Sequence, residues 1–320
     1  MKGFISKILH PAQVLLLLIL FWFGGFFVGN FFAMVTIIMV FPYELMEIPN
    51  IVGNPAAFEH GKTISILFQG ISHLFAFTVA PLLLLLWQGW EVGKYLSPQR
   101  WVPLTLLLLS GFIFILVMPA NSWLIELNAN MDLPDFMQGF ETWAKEKEDT
   151  LRELTQFLTR FESGGEFLFG LVVFALVPAI GEEIVFRGIA QKQFISWTRN
   201  VHVGIWVTAI IFGAIHIQFY GFLPRTVLGA LFGYLYLWSG NLWVPILGHF
   251  INNGFTVLAL YLYQQKMVDV EIDSVEAMPW YHVVSSFIVT LLVLFYLRRR
   301  FLALRQNPEQ IEDAAAEQRF

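Results

Sequence analysis

Apolar runs long enough to enter a bilayer alternate with short polar breaks along this chain, and the pattern repeats eight times. About 20 apolar residues in a helix cross the hydrocarbon core. The runs fall at about residues 14–41, 64–87, 103–118, 167–194, 203–217, 226–238, 242–263 and 281–297. The first follows Lys2 and Lys7 and is interrupted by Gly24, Gly25 and Asn30. It is too long for a signal-peptide core and lacks a convincing small-residue cleavage site, so a retained span is expected. The second carries Gln69 and His73, which could serve a site but are more simply expected to hydrogen-bond to neighbouring helices.

One long polar interval breaks the rhythm. Between Asp132-Leu133-Pro134 and Ser163-Gly164-Gly165, apolar residues recur at Phe136, Phe140, Trp143, Leu151, Leu154, Leu158 and Phe161 with charges between them. That spacing predicts an amphipathic helix, which could lie on the bilayer surface, cap the protein, gate access or sit solvated beside it. The expected fold class is all-α, a polytopic membrane protein of about eight transmembrane helices with one extramembrane amphipathic helix. Four regions are expected: transmembrane helices over 1–119, the amphipathic segment over 120–165, a helical core over 166–263, and a last span with a polar tail over 264–320.

Composition agrees with the pattern. Hydrophobic residues make up 57% of the chain and charged ones 13%, with 33 Phe and 11 Trp, well outside the usual range of soluble domains. The absence of cysteine removes disulfides, thiolate metal ligands and a cysteine nucleophile together. No basic stripe offers a nucleic-acid footprint. With the N-terminus inside, 12 of the 19 Lys and Arg fall on the cytoplasmic side, so both termini are expected there, in the plasma membrane of a prokaryote.

Charge inside a span is costly and reads as functional unless paired away. The fourth run contains Gly181-Glu182-Glu183-Ile184-Val185-Phe186-Arg187. On a helix Glu183 and Arg187 are one turn apart and can pair, which leaves Glu182 about 100° round the axis. All six Asp residues lie outside the apolar runs, so no aspartyl dyad is available within the membrane. No Gly-x-Ser-Gly occurs in a span and no His-Glu-x-x-His occurs at all. What remains inside is Glu182, Glu183, Arg187, His216, His249 and Asn253. Taken singly, each His is more simply a packing residue. Together, carboxylates, imidazoles and an amide can activate water and stabilise an oxyanion, or hold a divalent metal such as zinc through Glu182, His216 and His249.

Glu182-Glu183-x-x-x-Arg187, Phe212-x-x-x-His216 and His249-x-x-x-Asn253, in that order, resemble the three motifs of the CAAX prenyl-protease and bacteriocin-processing family of intramembrane endopeptidases. The Ser239-Gly240-Asn241-Leu242-Trp243-Val244-Pro245-Ile246 lead into His249 is similar too, and the resemblance covers about residues 165–260. It implies that Glu182 activates water with help from His216, that His249 and Asn253 stabilise the oxyanion, and that Glu183 and Arg187 are supporting. Metal-dependent and metal-free mechanisms both fit these residue types. The implied partner is a membrane-associated polypeptide, either a CAAX-like tail or a peptide precursor. Two rivals use the same residues differently: a non-catalytic membrane immunity or partner protein, and an ion-coupled transporter with the charges as a relay. A simple depth ruler places Glu182, His216 and His249 at different levels, so the catalytic reading stands only if the three converge.

Overall fold

The structure, a computed structural model, describes residues 3, 4, 6–268 and 276–305. Every element among them is helical. That follows from the solvent: in hydrocarbon a backbone must satisfy its own N–H and C=O groups, and a helix does so within one segment. The polar tail beyond residue 305 lies outside the described residues.

Helix α1 is Pro11–Val40, opened by His10, whose Nδ1 accepts from the Ala12 N–H at 3.2 Å. Helix α2 is Gly61–Trp87 and widens into π-type turns over Leu74–Val79, just before Pro81. Helix α3, Leu104–Leu116, bends by 41° into α4, Met118–Ala129, where Pro119 breaks the hydrogen-bond ladder. Helical structure therefore runs on to Ala129, past the end of the third apolar run. Helix α5, Gln138–Leu158, is the predicted amphipathic helix. Helix α6, Gly164–Thr198, is capped by Ser163, whose Oγ accepts from the Glu166 N–H at 3.2 Å. Helix α7, Val201–Ala214, is capped in the same way by Asn200. Helix α8, Phe222–Ser239, ends at Gly240, whose φ of +63° makes the left-handed turn that glycine allows. Helices α9, Trp243–Gln264, and α10, Trp280–Arg305, complete the order.

All eight apolar runs are helical. Five helices are long and apolar enough to cross a membrane alone, or six if the bent α3–α4 pair is one span. Helix α7 is shorter than its apolar run. Its 14 residues rise about 21 Å, less than a hydrocarbon core. The chain leaves it in a turn where Ile217 takes φ of +52°. The outward faces of α1 and α10 expose large apolar side chains such as Phe27, Phe31, Leu292 and Phe295, as lipid contact requires. This is an integral membrane protein.

Helix α6 lies in the middle, packed against α1, α2, α7 and α9. Two apolar clusters flank it. One joins Ile184, Phe186 and Ile189 to Val14, Leu18, Phe212, Tyr236 and Ile246. The other joins Ile113 and Phe114 of α3 to Phe232, Val244, Leu297 and Phe301. Helix α5 crosses one end of the bundle and is seated by Phe140 against Phe219 and by Glu148 accepting from the Tyr220 N–H at 3.3 Å.

Candidate active site

Glu182 and Glu183 close a short α-helical stretch, Val177–Glu183, between the π-type turns Val172–Leu176 and Ile184–Ala190 of α6. Such widened turns recur at functional sites because they turn side chains away from the regular 100° step. Gly181 lets this stretch press on α2: a Cβ there would fall 2.8 Å from the Phe77 Cβ. Both carboxylates are buried, Glu183 with no exposure at all.

Glu183 Oε1 accepts from Arg187 Nη1 at 2.7 Å, the i, i+4 ion pair that the spacing allows. Arg187 Nη2 donates to the Gly229 carbonyl at 2.9 Å, and the guanidinium packs over the rings of Phe212 and Phe232 at 4.7 and 5.0 Å. The same Glu183 Oε1 lies 2.9 Å from His249 Nδ1. A carboxylate only accepts, so Nδ1 carries the proton and Nε2 is turned to the other side of the ring. There it lies 3.9 Å from Glu182 Oε2. Phe232 stacks on the imidazole at 5.0 Å and fixes its plane.

Glu182 Oε1 sits 3.2 Å from Nε2 of His73, on α2. His73 is stacked on Phe77 with ring centres 4.2 Å apart, and its Nδ1 is buried without a partner. Glu182 Oε2 is likewise shielded and has no hydrogen-bond partner. His216 occupies the turn after α7 rather than the helix itself. Its Nδ1 donates to the Phe212 carbonyl at 2.8 Å, so Nε2 is available, and the ring is near enough to Glu182 and His249 to interact with both electrostatically. Three helices and one turn thus converge on Glu182, whatever the depth ruler suggests.

Asn253 is placed differently. Its Nδ2 lies 3.3 Å from the Phe174 carbonyl and its Oδ1 accepts from Asn252 at 3.1 Å. Pro178 has no N–H to offer that carbonyl four residues back, so Asn253 supplies a donor to a backbone group the proline leaves short. Among the described residues no three His, Asp or Glu side chains are grouped so that they could hold a metal ion. Glu182, His216 and His249 do not form such a group.

His73, expected from the sequence to hydrogen-bond to a neighbouring helix, does so here with Glu182, a site partner that the sequence did not name. A lone His on an apolar helix carries no local signal, and its partner is 109 positions away.

Two carboxylates and an Arg on one helix, beside a His three helices on, now have both an order in the sequence and a geometry. Residues 164–255 match the family described as Type II CAAX prenyl endopeptidase Rce1-like. The Rce1-like segment contains Glu182, Glu183, Arg187, His216, His249 and Asn253, and it leaves His73 and α5 outside. Two proteins of Bacillus subtilis (strain 168) are similar to part of the chain. "Uncharacterized protein YpbD" is 34% identical over 85 residues, which is 25% of this chain and 40% of that protein. "Putative membrane peptidase YdiL" is 33% identical over 88 residues, 28% of this chain and 36% of that one. The match therefore spans well under half of either relative. No solved structure matches the chain.

Proposed function

We propose that this protein is an intramembrane endopeptidase that hydrolyses a peptide bond of a membrane-associated polypeptide, with both termini on the cytoplasmic side. The observation that carries the reading is the buried Glu182 carboxylate held between His73 and His249, with its Oε2 lacking a hydrogen-bond partner. The match of residues 164–255 to the Rce1-like family supports the same reaction class.

A water bound at Glu182 Oε2 gives its proton to the carboxylate as its oxygen attacks the substrate carbonyl carbon. The carbonyl oxygen becomes an oxyanion. His249 answers it: with Nδ1 donating to Glu183, a second proton on Nε2 makes an imidazolium set between two carboxylates, and that N–H donates into the site. Glu183 acts on His249 as the orienting carboxylate acts on a triad histidine, holding the tautomer and supporting the charge. Asn253 joins the oxyanion only if its amide leaves the Phe174 carbonyl, so in this arrangement its part is to hold α9 against α6. The intermediate collapses as the C–N bond breaks. Protonated Glu182 returns its proton to the leaving amine, helped by His216, and the products are a carboxylate and an amine. His73 donates to Oε1 throughout and keeps Oε2 directed at the water.

The test is hydrolysis by the purified protein in liposomes, with lipid-anchored peptides as substrates and products read by mass spectrometry. Cleavage by the wild type that falls at least a hundredfold in Glu182→Gln, with an unchanged melting temperature, supports the proposal. Equal cleavage by both proteins rules out Glu182 as the base.

A further inference from the structure

Helix α5 uses its apolar stripe in two ways. In its second half, Leu151, Leu154 and Leu158 line a cavity of about 350 Å³ together with Gln69 of α2 and Asn253 of α9, so this half roofs the bundle beside the candidate site. The stripe continues back through Trp143 and Phe140 to Phe136, in the 3-10 turn that precedes the helix. There the protein covers little of it. Phe136, Trp143 and Phe140 are 86%, 44% and 41% exposed, although Phe140 touches both Trp143 and the ring of Phe219.

Depth says what covers these rings. Helix α7 opens at the polar pair Arg199-Asn200 and rises about 21 Å to Ala214, so it stops about 9 Å short of crossing a hydrocarbon core of about 30 Å. Its exposed face, with Trp206 and Ile210, continues into the exposed Ile215 and Ile217 of the turn that follows. The next turn holds Phe219, the residue that Phe140 meets. The Phe219 carbonyl also accepts from Asn128 Nδ2 at 3.1 Å, which joins the end of α4, where Trp123 and Leu127 are exposed, to the same rim. Phe140 and Trp143 thus extend a lipid-facing belt at the level where a short span ends.

The charges argue against an electrostatic anchor. Lys145, Lys147 and Arg152 are outnumbered by the Glu and Asp of the same helix, and Lys145 is paired with Glu141 at 2.6 Å. A helix held by anionic lipid presents a basic polar face. The first half of α5 offers large rings instead, Trp among them, which suit the boundary between headgroups and acyl chains. We propose that this half of α5 is an interfacial anchor: Phe136, Phe140 and Trp143 lie in the headgroup layer, beside lipid of no particular charge, and hold the α5 roof in place from the membrane side. Where α5 lies is independent of the reaction assigned to Glu182, so either can fail without the other.

The absence of cysteine makes the test direct, because an introduced cysteine is the chain's only thiol. Spin labels are attached to Phe136→Cys, Trp143→Cys, Asp149→Cys and, as a lipid reference, Phe27→Cys on α1, each in the full chain in nanodiscs of phosphatidylcholine. Collision with oxygen, which concentrates in lipid, is compared with collision with a neutral nickel chelate, which stays in water. We expect the labels at positions 136 and 143 to favour oxygen at least threefold more than the label at 149, though less than the one at 27. The values stay the same when a third of the lipid is phosphatidylglycerol. Labels at 136 and 143 as open to nickel as that at 149 overturn the proposal in favour of a solvated helix. Shielding from both reagents overturns it in favour of a protein cover, such as a second copy of the chain. A lipid signal that needs phosphatidylglycerol overturns the apolar anchor. The holding role has its own readout: Phe136→Ser combined with Trp143→Ser should speed amide hydrogen exchange in α5 severalfold and leave α6 and α9 unchanged. Unchanged exchange in α5 overturns that role, since contacts with the bundle would then hold the roof alone.

Discussion

Arg187 has no exposed surface, and the groups around it show how the site tolerates charge. It shares Glu183 with His249, so one carboxylate oxygen serves both the ion pair and the imidazole. Removing one partner of a buried pair strands the other, at a cost of about 3 to 5 kcal/mol. Arg187→Ala should therefore lower the melting temperature in detergent as well as activity, whereas an unchanged melting temperature would show that Glu183 is not stranded. The i, i+4 relation of Glu183 and Arg187 could be read from the sequence because it is local. The double use of Glu183 could not, since His249 approaches from 66 positions away. His73 makes the point more sharply: nothing near Gln69-Gly70-Ile71-Ser72-His73 announces a partner on α6. If His73 positions Glu182 and takes no proton, His73→Ala should lower kcat about tenfold with KM unchanged, and His73→Gln, which keeps a donor, should restore most of it. A KM rise with kcat intact would move His73 out of the site.

At the scale of elements, the site depends on how closely α2 meets α6. Gly181 allows that approach. An Ala there must displace Phe77 and Thr78, and overpacking of this kind costs about 1 to 3 kcal/mol. Gly181→Ala should lose stability and should lose activity beyond what stability explains, because α2 carries His73. Gly24→Ala on α1, where a Cβ meets nothing within 4 Å, should change neither. Full activity in Gly181→Ala would mean that the contact of α2 with α6 does not set the geometry of Glu182. Apolar runs located α1, α2, α3, α6, α7, α8, α9 and α10, because a long apolar run in lipid must satisfy its own backbone as a helix. They missed where the helices stop. Past the bend at Pro119 the helix continues into more polar sequence, and the turn that places His216 needs Ile217 at positive φ, a conformation that β-branched residues disfavour and sequence does not advertise.

At the scale of the molecule, the chain divides its work unevenly. Residues 164–255 carry the resemblance to the Rce1-like family and most of the polar residues around Glu182. The segments before them supply His73 and the α5 roof. That roof closes two cavities, the charged one of about 760 Å³ and a more apolar one of about 350 Å³, and Thr256 of α9 lines both. The amphipathic pattern of α5 was plain in the sequence. Its position over the cavities was not, because that depends on Phe140 finding Phe219 and on Glu148 finding the Tyr220 backbone. A protein built this way should act on chains that reach it from the membrane or its surface, and the most direct measurement follows from that. Protein termini are compared by mass spectrometry in membranes of cells carrying equal amounts of wild-type protein or Glu182→Ala. The account predicts a set of new termini in membrane-associated polypeptides that appears with the wild type and vanishes in the variant. Identical termini in both, with the variant folded and at equal abundance, would contradict it.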